Sequence, residues 1–119
     1  MNIFKQIKIA ILGVLLFMGF CQFTVFQTDE KDLIIGTWAP EGSPNSKKIF
    51  EAGGICKDYY KGNLVRTFTW TIPEEGVLQL VENKTKDIYK YELSFYPDTK
   101  TMELIWFVLP SKRLLYFRN

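Results

Sequence analysis

Apolar and polar residues alternate in short stretches along most of the chain after residue 28. In the stretch 66–72, Phe68, Trp70 and Ile72 fall on one side and three threonines fall on the other. The stretch 88–95 repeats the pattern, with aromatic and leucine residues opposite lysine, glutamate and serine. Since successive side chains of a strand point to opposite faces, the pattern predicts a sheet with one dry face and one wet face.

Eight segments of this kind are bounded by turn-forming residues such as Gly, Pro, Asn and Asp. Links of mostly two to five residues are too short for crossover connections, so consecutive strands must be antiparallel neighbours. A single sheet of this size would leave two unpaired edges, which closure into a barrel removes. The sequence therefore predicts an all-β, up-and-down antiparallel meander that closes into a small eight-stranded barrel. The eight predicted strands are 33–39, 46–52, 55–61, 64–72, 77–82, 87–96, 101–109 and 112–118.

The first 26 residues differ in kind from the rest of the chain. Lys5 and Lys8 precede a run, 9–26, that is apolar except for two residues. A basic region followed by an apolar region predicts a signal peptide or a membrane-anchoring leader helix over 1–26. Because the lysines keep the N-terminus in the cytoplasm, we expect the rest of the chain to be exported, with a polar tether at 27–32 and the barrel domain at 33–119.

Three outcomes remain open for this leader. The stretch ending in Cys21 resembles the lipobox of bacterial lipoproteins, which implies lipidation of that cysteine, although Phe20 stands where the motif has a small residue. The run 9–26 nearly reaches the length of an uncleaved transmembrane anchor. The third outcome is ordinary signal cleavage, for which no small-Xaa-small site is present at the end of the run. We expect the protein in the bacterial cell envelope, held at a membrane by the leader or by a lipid on Cys21.

Charge and composition exclude several classes of protein. The chain has 15 Lys and Arg and 13 Asp and Glu, and after the leader the two signs are balanced. No basic stripe is visible, so nucleic acid is not an expected partner. With Cys21 in the leader, Cys56 is left without a disulfide partner and is expected to be a small buried residue.

The residues offer little for catalysis. The chain contains no histidine, the commonest general base and metal ligand. Glu74 and Glu75 are adjacent in a tight turn, where neighbouring side chains point apart. The stretch 42–48 lacks the second glycine and the following helix of a phosphate-binding loop. We therefore expect no enzyme activity, no cofactor and no metal.

The triplet Gly36-Thr37-Trp38 on the first predicted strand resembles the Gly-Xaa-Trp signature of lipocalins. The whole of 33–119 resembles the short lipocalin-like domains of bacterial envelope proteins. The resemblance implies that Trp38 closes the barrel floor and that a basic residue near the C-terminus lies over its indole. Arg118 matches that residue, with Arg113 as the second candidate. Gly36 would let the chain bend as it enters the barrel.

The interior of the predicted barrel is where a function is expected, namely binding of a small hydrophobic ligand. Large aromatic and aliphatic residues on the dry face would suit an apolar guest or would fill the barrel. Arg66 shares their face near a strand end, where it would either clamp a carboxylate or extend into water. The candidate lumen residues are Arg66, Phe68, Trp70, Leu80, Tyr89, Tyr91, Leu93, Phe95 and Trp106.

An alternative function is an interaction module with a packed interior. The stretch 104–109 is apolar on both faces, so Ile105 and Phe107 would form an outer patch if Trp106 faces inward. Leu114 and Tyr116 on the last predicted strand would extend that patch. Such a surface could dock an envelope protein or a membrane.

Overall fold

A computed structural model of the chain describes residues 29–119. The predicted leader, Cys21 and the start of the predicted tether lie outside the described residues. The described part begins with one helical turn, α1 (Glu30–Leu33), and continues with eight strands. The strands are β1 (Gly36–Pro40), β2 (Ser46–Glu51), β3 (Ile55–Tyr60), β4 (Asn63–Glu74), β5 (Val77–Glu82), β6 (Ile88–Phe95), β7 (Thr101–Trp106) and β8 (Arg113–Arg118).

The eight strands form a closed barrel in chain order. Each strand pairs antiparallel with the next, and β8 pairs antiparallel with β1, where Trp38 lies opposite Arg118. The predicted all-β meander and its closure into a barrel are thus confirmed. In the part of the chain that the structure describes, no helix is long and apolar enough to cross a bilayer.

The strand boundaries differ from the predicted ones mainly at three places. The first strand begins at Gly36, because the residues before it form α1, in which the Leu33 amide donates to the Asp29 carbonyl at 3.0 Å. A single turn of four residues is too short to show a helical period in the sequence. β4 extends to Glu74 through an irregular register, and β7 ends at Trp106 instead of residue 109.

The core lies inside the barrel and is built from alternate positions of each strand. On the wet face of β4, Thr69 and Thr71 are exposed and Thr67 is half-buried, as the alternation in the sequence predicts. Ile34, which follows α1, is also fully buried and packs into the same core. The buried apolar residues are Ile34, Trp38, Phe50, Cys56, Phe68, Trp70, Ile72, Leu78, Leu80, Leu93, Met102, Leu104 and Tyr116.

One end of the barrel is closed by Trp38, Arg118 and the segment that precedes β1. Trp38 is completely buried, and its indole nitrogen donates to the Ile34 carbonyl at 2.8 Å. The Arg118 guanidinium lies 4.3 Å from the Trp38 ring centroid and donates to the carbonyls of Leu33 at 2.6 Å and Ile35 at 3.0 Å. A planar cation with several donors is suited to both interactions at once.

Gly36 is required by this closure. Its φ of +137° lies in a region that residues with a side chain rarely adopt. A Cβ at this position would stand 2.8 Å from Nη1 of Arg118. The side chain of Glu30 adds a further link, since it accepts a hydrogen bond from the Gly76 amide at 2.8 Å. This bond attaches α1 to the turn between β4 and β5.

In a meander, every second connection lies at the same end of the barrel. The two ends of this barrel therefore hold different sets of connections. We call the end carrying α1 the closed end; it also holds the connections 52–54, 75–76 and 96–100. The opposite end, which we call the mouth, holds the connections 41–45, 61–62, 83–87 and 107–112.

Candidate ligand site in the barrel interior

A cavity of about 360 Å³ lies in the mouth half of the barrel. Its wall is built by residues near the ends of β1 and β3, the starts of β2, β4 and β8, and the facing part of β5 and β6. The volume falls within the range of ligand pockets, which starts at about 300 Å³. The lining residues are Pro40, Ser46, Lys47, Lys48, Asp58, Tyr59, Tyr60, Val65, Arg66, Phe68, Leu80, Tyr89, Tyr91, Leu114 and Tyr116.

Three charged side chains meet on one wall of the cavity. The strand register places Lys48, Asp58 and Arg66 directly beside one another on β2, β3 and β4. The Lys48 ammonium lies 2.7 Å from one carboxylate oxygen of Asp58, and the Arg66 guanidinium lies 3.5 Å from the other. Two cations therefore share one anion, which leaves an excess of positive charge on the wall.

Both cations also contact the ring of Phe68. The Lys48 ammonium lies 4.9 Å and the Arg66 guanidinium 5.3 Å from the ring centroid. Lys48 is buried, whereas 48% of the Arg66 side chain is exposed. Arg66 can therefore move toward a guest without leaving a buried charge unpaired, while Lys48 is held in place by Asp58.

The opposite wall carries tyrosines. Burial raises the pKa of Tyr91 and of Tyr116. Lys48 and Arg66 partly offset this rise in the pKa of Tyr91. The two phenols therefore stay protonated at neutral pH, and each can donate a hydrogen bond to an anion in the cavity. The remaining wall, with Phe68, Leu80 and Leu114, is apolar.

The structure brings five of the nine candidate lumen residues to the cavity wall. They are Arg66, Phe68, Leu80, Tyr89 and Tyr91.

The other four candidates lie outside this wall. Trp70 packs edge-on against Phe50, with ring centroids 5.9 Å apart, and donates its indole N–H to the Glu51 carbonyl. Leu93 is buried in the core, and Phe95 lies 6.0 Å from the ring of Trp38 at the closed end. Trp106 is half-buried and stands 6.5 Å from the ring of Tyr89.

The sequence prediction missed Lys48 and Asp58, although a signal was present. Lys48 stands two residues before the apolar Phe50, and Asp58 stands two residues after Cys56. Strand alternation therefore puts each charged residue on the same face as a core residue. An interior lysine and an interior aspartate on adjacent strands stabilise each other only when the register aligns them, and the sequence alone did not give that register.

The predicted outer patch is wrong for two of its members. Tyr116 pairs with Met102 and Leu114 with Leu104, both of which are buried, so these side chains point into the barrel. They line the cavity instead of an outer surface. Phe107 is exposed, but it follows the end of β7 and belongs to the mouth.

Cys56 is not suited to nucleophilic chemistry. Burial raises the pKa of its thiol to about 12, so that almost none is ionised at neutral pH. Among residues 29–119, no three His, Cys, Asp or Glu side chains are grouped so that they could hold a metal ion. What the arrangement can do chemically is hold an anion next to an apolar surface.

A second cavity of about 360 Å³ lies at the closed end, between α1 and the connection 52–54. Its wall is mostly apolar, and its charged members, Lys31 and Asp32, are one cation and one anion. It has no excess of one charge, so we take the cavity at the mouth as the candidate site.

Comparison of the chain with models of protein families, with curated proteins and with solved structures finds no match. The case for a function therefore depends on the geometry of the cavity.

Proposed function

We propose that this protein is a non-enzymatic, lipocalin-like barrel that binds a small amphiphile, with its apolar part against Phe68 and Leu80. The observation that carries the proposal is the wall on which Lys48 and Arg66 share the single carboxylate of Asp58. A barrel that only needed a filled interior would gain nothing from Lys48 and Asp58 there, because burying charged side chains is costly.

The proposed ligand carries an anionic group next to its apolar body. The excess positive charge would attract a carboxylate or sulfonate, and the half-exposed Arg66 is free to bind it through two parallel hydrogen bonds. Tyr91 and Tyr116 would donate further hydrogen bonds from the opposite wall. A purely hydrocarbon guest would leave these polar groups unused and would therefore bind less tightly.

A matched pair of dyes tests this proposal. The anionic 1-anilinonaphthalene-8-sulfonate and the neutral N-phenyl-1-naphthylamine share one aromatic body and differ in the sulfonate. All eight strands and the core lie within 29–119, so that segment is the protein to use, after circular dichroism and cooperative unfolding have shown that it is folded. We expect saturable binding of both dyes, with the anionic dye bound about tenfold more tightly.

Variants then identify the site. Arg66→Met and Lys48→Met should each weaken the anionic dye about tenfold and change the neutral dye little. Lys57→Met is the matched control, because Lys57 is next to Asp58 on β3 but pairs with Glu51 instead of facing the cavity. Absence of saturable binding of either dye would refute a ligand-binding barrel. Equal effects of Arg66→Met and Lys57→Met would refute the anionic site.

We also propose that the leader exports the barrel and that the leader, or a lipid on Cys21, holds it in the cell envelope. Labelling of cells with a radioactive fatty acid tests the lipid. The intact chain should incorporate the label and the Cys21→Ser variant should not. Equal labelling would exclude acylation at Cys21 and leave an uncleaved apolar anchor or ordinary signal cleavage.

A further inference from the structure

Exposed apolar side chains are concentrated at the mouth. Of the large apolar residues exposed between residues 29 and 119, most lie on the mouth connections or on the strand ends next to them. Val108 is the most exposed, at 74%, and it lies within three consecutive apolar residues of one connection. Connections are normally polar, so the run of three exposed apolar residues at 107–109 favours a partner surface at the mouth. The exposed apolar residues at the mouth are Tyr60, Leu64, Val65, Ile88, Phe107, Val108 and Leu109.

The charges of the barrel are segregated between its two ends. From residue 29 onward positive and negative side chains are equal in number. The mouth connections nevertheless carry an excess of lysine. Their charged residues are Lys61, Lys84, Lys86 and Lys112 against Glu41 and Asp87.

The closed end has the opposite sign. Its acidic residues outnumber its two lysines. They are Asp29, Glu30, Asp32, Glu75 and Asp98.

The mouth lysines are free to bind a partner. None of the four forms an ion pair with another residue of the described barrel. Apolar side chains surrounded by unpaired lysines fit a surface that is negatively charged outside and apolar a few ångströms deeper. A bilayer containing anionic lipids has this arrangement, because phosphate groups cover the acyl chains. A folded protein partner, a second copy of this chain included, would instead have to offer a matching acidic and apolar patch.

We propose that the mouth is a docking surface for an anionic lipid bilayer, into which the connection 107–112 and the adjoining tip of β4 insert. The mouth lysines contact the phosphate groups while Phe107, Val108 and Leu64 enter the boundary of the acyl chains. Docking of this kind does not depend on a ligand in the cavity, so either proposal can be refuted without affecting the other.

Depth measurements on the full chain test the orientation. A fluorescent label is attached at Val108→Cys or at Glu75→Cys, in a Cys21→Ser background. Cys56 is fully buried and stays unlabelled. The protein is reconstituted in vesicles of phosphatidylcholine, with or without phosphatidylglycerol, that contain lipids with a quencher on the acyl chain. The leader is the same in every sample, so only the change caused by phosphatidylglycerol is compared.

We expect phosphatidylglycerol to increase the quenching of the label at 108 several-fold and to change the quenching of the label at 75 little. Added salt should reverse the increase at 108. Replacing Lys61, Lys84 and Lys86 by Gln should abolish the increase, while Lys31→Gln with Lys100→Gln at the closed end should not. If phosphatidylglycerol increases the quenching of the label at 108 no more than that of the label at 75, the proposal is wrong. It is also wrong if both sets of Gln variants change this increase equally. Shielding of the label at 108 without lipid, at raised protein concentration, would identify a second copy as the partner and would equally overturn it.

Discussion

At the scale of single residues, Arg118 makes several different stabilising contacts at the closed end. It pairs with Trp38 across β1 and β8, covers the indole and donates to backbone carbonyls of the segment before β1. Arg118→Met keeps the aliphatic stem but loses these interactions, so we expect a loss of about 3 kcal/mol in the free energy of unfolding. Arg118→Lys keeps the charge without the planar fork and should lose roughly half of that. Urea unfolding measures both.

The matched control is Arg113→Met on the same strand. Arg113 is exposed and pairs with Glu103 on the outer surface. Surface ion pairs contribute little to stability, so the unfolding midpoint should not change. If Arg113→Met and Arg118→Met shift the midpoint equally, the cover over Trp38 does not have the role assigned to it.

Cys56 shows how burial controls a reactive group. Its thiol pKa is raised from 9.0 to about 12, so at a pH of about 8 the ionised fraction is about a thousandfold smaller than for a free thiol. We expect modification by a thiol reagent to be slower than for a small free thiol by at least about that factor, and to reach the free rate in urea. Rapid modification of the folded barrel would show that the strands around Cys56 open readily.

At the scale of the elements, the entry into β1 depends on one glycine. Gly36→Ala introduces two costs, because its φ is positive and because the new Cβ would meet Arg118. Gly53→Ala is the matched control, since its φ is also positive, at +97°, but nothing lies within 4 Å of the added Cβ. We expect a loss of about 1 kcal/mol for Gly53→Ala and about 2 to 3 kcal/mol for Gly36→Ala by urea unfolding.

A double-mutant cycle separates the two costs. In an Arg118→Met background the clash is removed and only the backbone strain remains, so Gly36→Ala should cost about as much as Gly53→Ala. Additive effects of Gly36→Ala and Arg118→Met would contradict the close approach of glycine and guanidinium.

The eight strands could be predicted from the sequence because each one carries its own alternation of apolar and polar residues. α1 could not, since its single turn leaves no repeat and is held by distant contacts such as the bond from Gly76 to Glu30. The same distinction applies to the site. Arg66 and Phe68 were predicted from the alternation within β4. Alternation also places Lys48 and Asp58 on the core face of their strands, but only the register shows that they pair with each other and with Arg66.

At the scale of the whole molecule, the two halves of the barrel differ in the packing and polarity of their interior. The closed half is a dry core around Trp38, Phe50 and Met102, which are almost completely buried. The mouth half keeps a cavity, interior charges and tyrosines at the expense of close packing. The division follows from where polar residues fall among the inward positions, because an eight-stranded barrel has room to be filled by side chains throughout.

This division predicts how stability responds to alkaline pH. Burial raises the pKa of Cys56, Tyr91 and Tyr116, so the native barrel holds these three protons more tightly than the unfolded chain does. The stabilisation is fully present below the pKa values of the unfolded groups, 9.0 for Cys and 10.0 for Tyr, and is lost as the pH rises through the higher native values. We expect the free energy of unfolding in urea to fall steadily above a pH of about 9.

Variants test whether Cys56 and Tyr116 cause the fall of the free energy of unfolding with pH. In Cys56→Ala with Tyr116→Phe, neither group can ionise, so unfolding free energy should fall less steeply with pH than in the parent. Stability at neutral pH can differ between the proteins without affecting the comparison, because the slope depends only on the difference in bound protons between the two states. Ultraviolet absorbance of phenolate should show that the ionisation of Tyr116 coincides with unfolding. Identical slopes in variant and parent would mean that Cys56 and Tyr116 ionise as readily in the folded barrel as in the unfolded chain, and burial would then not raise their pKa values as described.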